Sequence, residues 1–171
     1  MNSIRTSRLR LIPGTLHLFD AELDGHEQLA AALEVDVLQD WPPSGSTYDA
    51  GVVEFFRSQL AADPALAGWS SYYALLDGRL VATGGFFGLP VGGVVEIGYS
   101  VCLPWRRAGL ATELIGGLVR HALDRGVAEV IARTTSDNRG SVGALARNLF
   151  APTVLDSDGF MIYRRRPPTR P

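Results

Sequence analysis

Val94-Val95-Glu96-Ile97-Gly98-Tyr99-Ser100-Val101-Cys102 and, past Leu103, Pro104-Trp105-Arg106-Arg107-Ala108-Gly109-Leu110-Ala111-Thr112 decide the reading of this chain. The first run is rich in β-branched residues and reads as a strand stopped by Pro104, with Gly98 marking a bulge or a close backbone approach. From Ala108 to Arg125, Ala111, Leu114, Ile115, Leu118 and Ala122 recur at i, i+3, i+4, i+7 and i+11, which predicts an amphipathic helix ending at Gly126. A strand feeding a helix through this turn suits an anion. The first helical N–H groups lack intrahelical partners, and the helix dipole adds about half a positive charge there. Gly109 and small Ala111 admit phosphate oxygens, and Arg106 and Arg107 add charge. The plainer alternative is an ordinary surface connection between strand and helix.

Working outward, residues 8–13 alternate as a first strand, with Leu9 and Leu11 on one face. Residues 15–34 carry apolar positions at helical spacing broken at Asp24-Gly25, so two short helices follow a Thr15 N-cap. Residues 40–46 form a Pro/Gly/Ser loop, and 47–62 a helix burying Val52, Phe55, Phe56 and Leu60, stopped by Pro64. Residues 70–76 and 79–87 are strands joined by Asp77-Gly78, a two-residue hairpin signal. Downstream, 128–134 predicts a strand, 138–149 a helix and 160–165 a terminal strand. The pattern is a mixed α/β fold without internal repeats, read as one domain over 1–171, with 166–171 a solvated tail.

Composition removes whole classes of function. With 171 residues, 46% apolar and 20% charged, the chain can bury about two-thirds of its surface without disulfide or metal. All 16 basic residues are arginine, which excludes a Schiff-base lysine or the lysine of a phosphate-binding P-loop. A net charge of −2 argues against gripping nucleic acid by its backbone. Cys102 is the one cysteine, and His17, His26 and His121 are scattered, so neither a disulfide nor a metal site is expected. No apolar run reaches the roughly 18 residues of a membrane span and no signal core opens the sequence, so a cytoplasmic protein is expected.

Arg106-x-x-Gly109-x-Ala111 matches the Gln/Arg-x-x-Gly-x-Gly/Ala signature of the GNAT acetyltransferase superfamily, which this chain resembles. Further stretches are similar to the branch holding the ribosomal-protein N-terminal acetyltransferases. These are Thr6-Ser7-Arg8-Leu9-Arg10-Leu11, Gly92-Gly93 running into the Val94 strand, Gly109-Leu110-Ala111-Thr112-Glu113 and Asp137-Asn138-x-x-Ser141. The resemblance implies a mixed, mostly antiparallel sheet that splays beside the Val94 strand to admit acetyl-CoA. It implies that Val101 and Leu103 pair with pantetheine, that the amides of Arg107, Ala108, Gly109, Leu110, Ala111 and Thr112 hold the diphosphate with Arg106 beside them, and that Asn138 reaches the cofactor. No metal is required. The acceptor would be a small-molecule amine or a protein N-terminus, with no nucleic acid or membrane partner, and homodimers are frequent in the branch.

An alkylamine with a pKa of about 10.4 is neutral in only about one molecule in 2,500 at pH 7, a deficit of about 4.6 kcal/mol. Glu96, in an otherwise apolar strand, is the expected base or water relay, its alternative being an outward structural ion pair. The superfamily's tyrosine donor to the leaving thiolate falls on Leu145, which leaves Ser141 as donor or, alternatively, as a helix cap. Leu149-Phe150 replaces the branch's Gly-Phe and predicts a rearranged helix end. Cys102 offers a two-step acylated route, against which direct transfer is preferred because no histidine activates the thiol. Trp41, from its Pro-rich loop, is the expected acceptor-binding residue, with Trp69, Tyr72, Tyr73, Phe86 and Phe87 as further candidates. A catalytically weak acyl-CoA sensor on the same fold is the competing reading.

Overall fold

A computed structural model describes residues 3–167, so of the expected tail, 168–171 lie outside the described residues. The chain orders its elements as β1 (Ile4–Arg5), β2 (Arg10–Pro13), α1 (Leu16–Asp24), α2 (His26–Leu33), β3 (Asp36–Val37), α3 (Ala50–Ala62), β4 (Ser71–Leu76) and β5 (Arg79–Phe86). Then follow β6 (Val94–Val101), α4 (Leu110–Leu123), β7 (Glu129–Thr134), α5 (Arg139–Arg147), β8 (Ala151–Leu155) and β9 (Met161–Arg165). The strands make one sheet in the order β1-β2-β4-β5-β6-β7-β9-β8, with short β3 added in parallel to β5. All pairings but β3·β5 and β6·β7 are antiparallel. This is the mixed, mostly antiparallel sheet flanked by helices that the family resemblance implied.

Local chemistry explains the ends of these elements. Thr15 Oγ1 accepts from Leu18 N and caps α1, as expected. Asp77 and Gly78 take φ of 48° and 76°, the geometry of a type I′ hairpin. Helix α3 starts later than its periodicity suggested because Asp49, not Thr47, accepts from Val52 N. Its inward face is Val53, Phe56 and Leu60, whereas Phe55 is exposed. The expected strand at 8–13 is shortened to β2 at Arg10–Pro13, and β1, β3 and β8 arise where no strand was expected.

The sheet separates two apolar layers. On one face α4 packs Leu110, Leu114, Ile115 and Leu118 against Leu11, Tyr72, Phe86 and Ile97. On the other, α1 to α3 pack Phe19, Leu29, Val53, Phe56 and Leu60 against Tyr73, Leu80 and Cys102. Burial of this kind is worth roughly 1.5–3 kcal/mol for each large side chain.

Candidate active site

The feature that makes a site is a loss of pairing in mid-strand. β6 pairs with β5 over its C-terminal part, from Ile97↔Phe86 to Val101↔Ala82. Its other edge pairs with β7 only from Val94↔Glu129 to Ile97↔Ala132. Past Ile97 the two parallel strands part, and a cleft of about 1240 Å³ opens between them. Phe87 N donates to Glu96 O, and Cys102 N to Val81 O, so the even-numbered residues of β6 face β5 along the ladder. The main-chain groups of Tyr99 and Val101 therefore lie along the open edge. Gly98 sits where the strands part without a bulge. A Cβ there would stand 2.9 Å from the Phe87 ring, so the close neighbour is a side chain rather than the backbone the sequence suggested.

Across the mouth lies the turn into α4. Arg107 and Gly109 both take left-handed φ, 66° and 78°, an alternation that turns successive N–H groups toward one concavity. Among the described residues, none of the main-chain N–H groups from Arg107 to Thr112 meets an acceptor, and Gly109 supplies no side-chain cap. The cradle is held from behind. Arg8 Nη1 donates to Ala108 O at 3.0 Å, and because the peptide is planar and trans, the Gly109 N–H points the opposite way. Glu113, in the first turn of α4, accepts from Thr6 Oγ1, from the main-chain N–H of Arg8 and Leu9, and from Arg8 Nε at 2.7 Å. Burial pushes the Glu113 carboxyl up, but these donors outweigh it and hold it at about 2. Two sequence stretches read separately are thus one knot.

Several expected cofactor contacts are spent elsewhere. Arg106 lines the cleft, yet its Nε donates to Val101 O at 2.9 Å and its Nη2 to Ser44 O. Its role is to tie the strand end to the 43–46 loop. Leu103 falls outside the cleft, since its side chain is exposed and its N–H donates to Asp40 Oδ2 at 2.9 Å. Ala108 does not line the cleft either, because its carbonyl faces Arg8. Val101, Arg107, Gly109, Leu110, Ala111, Thr112 and Asn138 do line it. Two arginines the sequence reading missed, Arg139 and Arg147, face the same end from α5. Their spacing of eight, about two helical turns, was the available signal.

Asn138 Oδ1 accepts from Ser141 N and caps α5, so Ser141 is not the cap. Ser141 Oγ lies 2.6 Å from Tyr99 OH, a partner the sequence did not reveal. Desolvation, offset in part by Ser141, leaves the Tyr99 phenol at about 12, so it stays protonated at neutral pH. Leu145, where the superfamily tyrosine would stand, is fully buried. The helix end is kept rather than rearranged: Leu149 adopts φ of 63° in the place of a glycine, and Phe150 N still returns to Leu145 O.

The opposite end of the cleft is built from side chains. Register places Ser71, Gly85 and Gly98 in one row across the sheet and Tyr73, Thr83 and Ser100 in the next, and paired residues share a face. Tyr48, Phe56, Phe87 and Phe160 close round this hollow. Glu96 reaches it ion-paired, with Oε1 2.8 Å from Arg133 Nε, and Arg133 continues to Asp156 Oδ2 at 3.3 Å. It is therefore not the isolated, desolvated carboxylate expected from an apolar strand.

Trp41 does not line the cleft. It is buried, stacks its edge on Tyr48 and donates from Nε1 to Glu22 Oε1 at 2.8 Å. Trp69, Tyr72 and Tyr73 are likewise outside the cleft, while Phe86 and Phe87 line it. Cys102 is fully buried, and desolvation with the nearby Asp40 carboxylate pushes its thiol up to about 12. A neutral, enclosed thiol is a poor nucleophile, which removes the two-step acylated route.

A sheet parted beside one strand, with main-chain donors arrayed across the opening, defines a transferase that draws its acyl group from a diphosphate-bearing carrier. The chain belongs to the acetyltransferase (GNAT) family, whose model matches residues 18–149. The uncharacterized N-acetyltransferase YjdG of Bacillus subtilis (strain 168) is 30% identical over 148 residues, 84% of this chain and 86% of that one. The fold matches an acetyltransferase from Agrobacterium tumefaciens str. C58 with a TM-score of 0.67 at 20% identity, covering 98% of this chain and 95% of that one. It also matches Mycobacterium smegmatis RimJ, solved with CoA-disulfide, with a TM-score of 0.65 at 19% identity over 97% of this chain and 90% of that one.

Proposed function

We propose that the protein moves an acetyl group from acetyl-CoA to a primary amine, of a small molecule or a protein N-terminus, by direct attack within a ternary complex. One observation carries this reading: β6 loses its β7 partner at the point where the unpaired N–H groups of residues 107–112 close the gap. That pairing of an open strand edge with an anion cradle fits a carrier with a polar amide arm and a diphosphate. RimJ, of the same fold, was solved with a CoA derivative.

The diphosphate would rest on the amides of 107–112, with Arg107, Arg139 and Arg147 supplying charge and Asn138 alongside. The open edge at Tyr99 and Val101 would pair with the amide arm. Bound acetyl-CoA supplies the electrophilic thioester. Ser141 Oγ, bonded to Tyr99 OH, would release a proton toward the departing sulfur. Glu96, fixed by Arg133 through Oε1, keeps Oε2 to receive and orient the acceptor's N–H. Transfer needs no metal on this account.

The ion pair that occupies Glu96 and the leucine at 145 favour a second reading, a weak acyl-CoA sensor. Calorimetric titration with CoA and acetyl-CoA, followed by thiol release with a panel of amines and peptide N-termini, separates the two. Saturable binding with release is the expected outcome. Binding without turnover across the panel establishes the sensor, and no heat up to millimolar CoA overturns both.

A further inference from the structure

Several acidic side chains of this chain meet arginine, among them Asp20, Glu96, Glu113, Glu129 and Asp156. Glu22, on α1, is arranged differently. Its Oε1 accepts from Trp41 Nε1 at 2.8 Å, and its Oε2 accepts from Tyr73 OH at 2.7 Å and Tyr48 OH at 2.9 Å. Every direct donor is neutral. A half-buried carboxylate solvated only by neutral dipoles is costly to keep charged, and its ordinary remedy is to take up a proton. Burial does raise the Glu22 carboxyl, against the lowering effect of these three donors and of the more distant His26.

The position of the cage gives it a use. Tyr48 lines the cleft at its acceptor end together with Ser71 and Thr83, whose hydroxyls adjoin the Tyr48 phenol and lie 3.2 Å from each other. Thr83 Oγ1 donates to Tyr72 O and so is not free to give its proton to the cleft. Among the described residues, Tyr48 is thus the one side chain that both faces this hollow and bonds directly to Glu22.

We infer that Tyr48 and Glu22 form a proton relay that deprotonates the acceptor ammonium, with Tyr48 facing the amine and Glu22 storing the proton behind it. The inference rests on the amine-acetylation reading above and deepens it. In the step, an N–H bond of the ammonium breaks as an O–H bond forms at the Tyr48 oxygen. Tyr48's own proton passes to Glu22 Oε2 in the same motion, so no tyrosinate forms. Ammonium plus carboxylate becomes neutral amine plus neutral acid. Glu96, already engaged by Arg133, orients the amine rather than storing its proton. Trp41 is a positioning residue that acts on this step through Glu22.

The test is the pH dependence of kcat/KM for thiol release by the full-length protein, wild type against Glu22→Gln, Tyr48→Phe and the double variant. Wild type should lose activity as pH falls through the raised Glu22 value, because a protonated relay accepts nothing. The other ionisable groups facing the hollow are Glu96, Arg133 and Asp158, so Glu96→Gln serves as a comparison that keeps this acid limb. Each single variant should fall about 100-fold at neutral pH and flatten the limb, and the double variant should fall no further than either. Single variants within twofold of wild type, or an acid limb that survives Glu22→Gln, overturn the relay while leaving acetylation standing. A wild type that binds CoA but acetylates no amine removes the transfer reading and the relay with it. If Glu22→Gln melts early, Tyr48→Phe, which keeps its ring against Trp41, decides the matter.

Discussion

The two ends of the cleft are made of different materials. The end proposed for the donor is main chain: a strand edge stripped of its partner and six N–H groups aimed by two left-handed residues and the Arg8–Glu113 knot. The end proposed for the acceptor is side chain: Tyr48, Ser71, Thr83, Phe87 and Glu96, brought from four separate stretches. A site of main-chain donors survives most side-chain changes and fails when the backbone cannot hold its conformation, whereas a site of side chains does the reverse.

The largest break in that contrast should come from Gly109→Val. At φ 78° a β-branched residue is a conformational outlier, so the turn should leave its left-handed geometry. CoA affinity measured by calorimetry should fall about 100-fold, with the amine KM of any residual activity little changed.

Next is Glu113→Gln, which loosens the knot behind the cradle and should cost about 2 kcal/mol for a set of bonds to a charged acceptor, one of them to the half-exposed Arg8. Thermal melts should fall by about 4–8 °C. The sign with pH follows from the depressed carboxyl. Its contribution is complete above the ordinary 4.5 and is lost as pH falls through about 2, so the wild type should converge on Glu113→Gln in acid.

Ser141→Ala should lower kcat about 20-fold without moving CoA affinity, a modest loss because a thiolate with a pKa near 8.5 leaves with little help. An unchanged kcat would take Ser141 out of the chemistry. Arg106→Ala sharpens the contrast, since this arginine stands at the donor end but serves the loop of the acceptor end. It should raise the amine KM about tenfold and change the CoA dissociation constant less than threefold, as the Ser44 carbonyl loses its tether. The smallest effect is Leu149→Gly. Relief of a left-handed leucine, about 1–2 kcal/mol, is partly offset by glycine's freedom in the unfolded chain, and melts should rise by about 2 °C.

The same difference explains what could be read in advance. Amphipathic α4, the Asp77-Gly78 hairpin and the Gly109 turn are local facts, written in spacing and in glycine. They located the donor end. Trp41 and Glu22 are 19 residues apart, and nothing local distinguishes an indole over a cleft from one bonded to a buried carboxylate. Glu96 pairs with Ile131 in the parallel ladder and Arg133, two residues on, reaches it diagonally, a register that the sequence does not specify. Strand β8 escaped notice because all five of its residues are exposed, so it has no alternation to betray it. Val101 and Leu103 shared a strand edge on paper, but Asp40, 63 residues earlier, claims the second.

The Glu113 knot also fixes when the cradle can come into being. It joins residues 6–9 to a helix more than a hundred positions later, a closure that cannot precede synthesis of α4 and that carries the entropic burden of a long loop. Formation of helix α4 alone leaves the turn before it unsupported. Only a chain that has found its distant beginning holds those amides from behind, so the cradle is complete only when that long loop has closed.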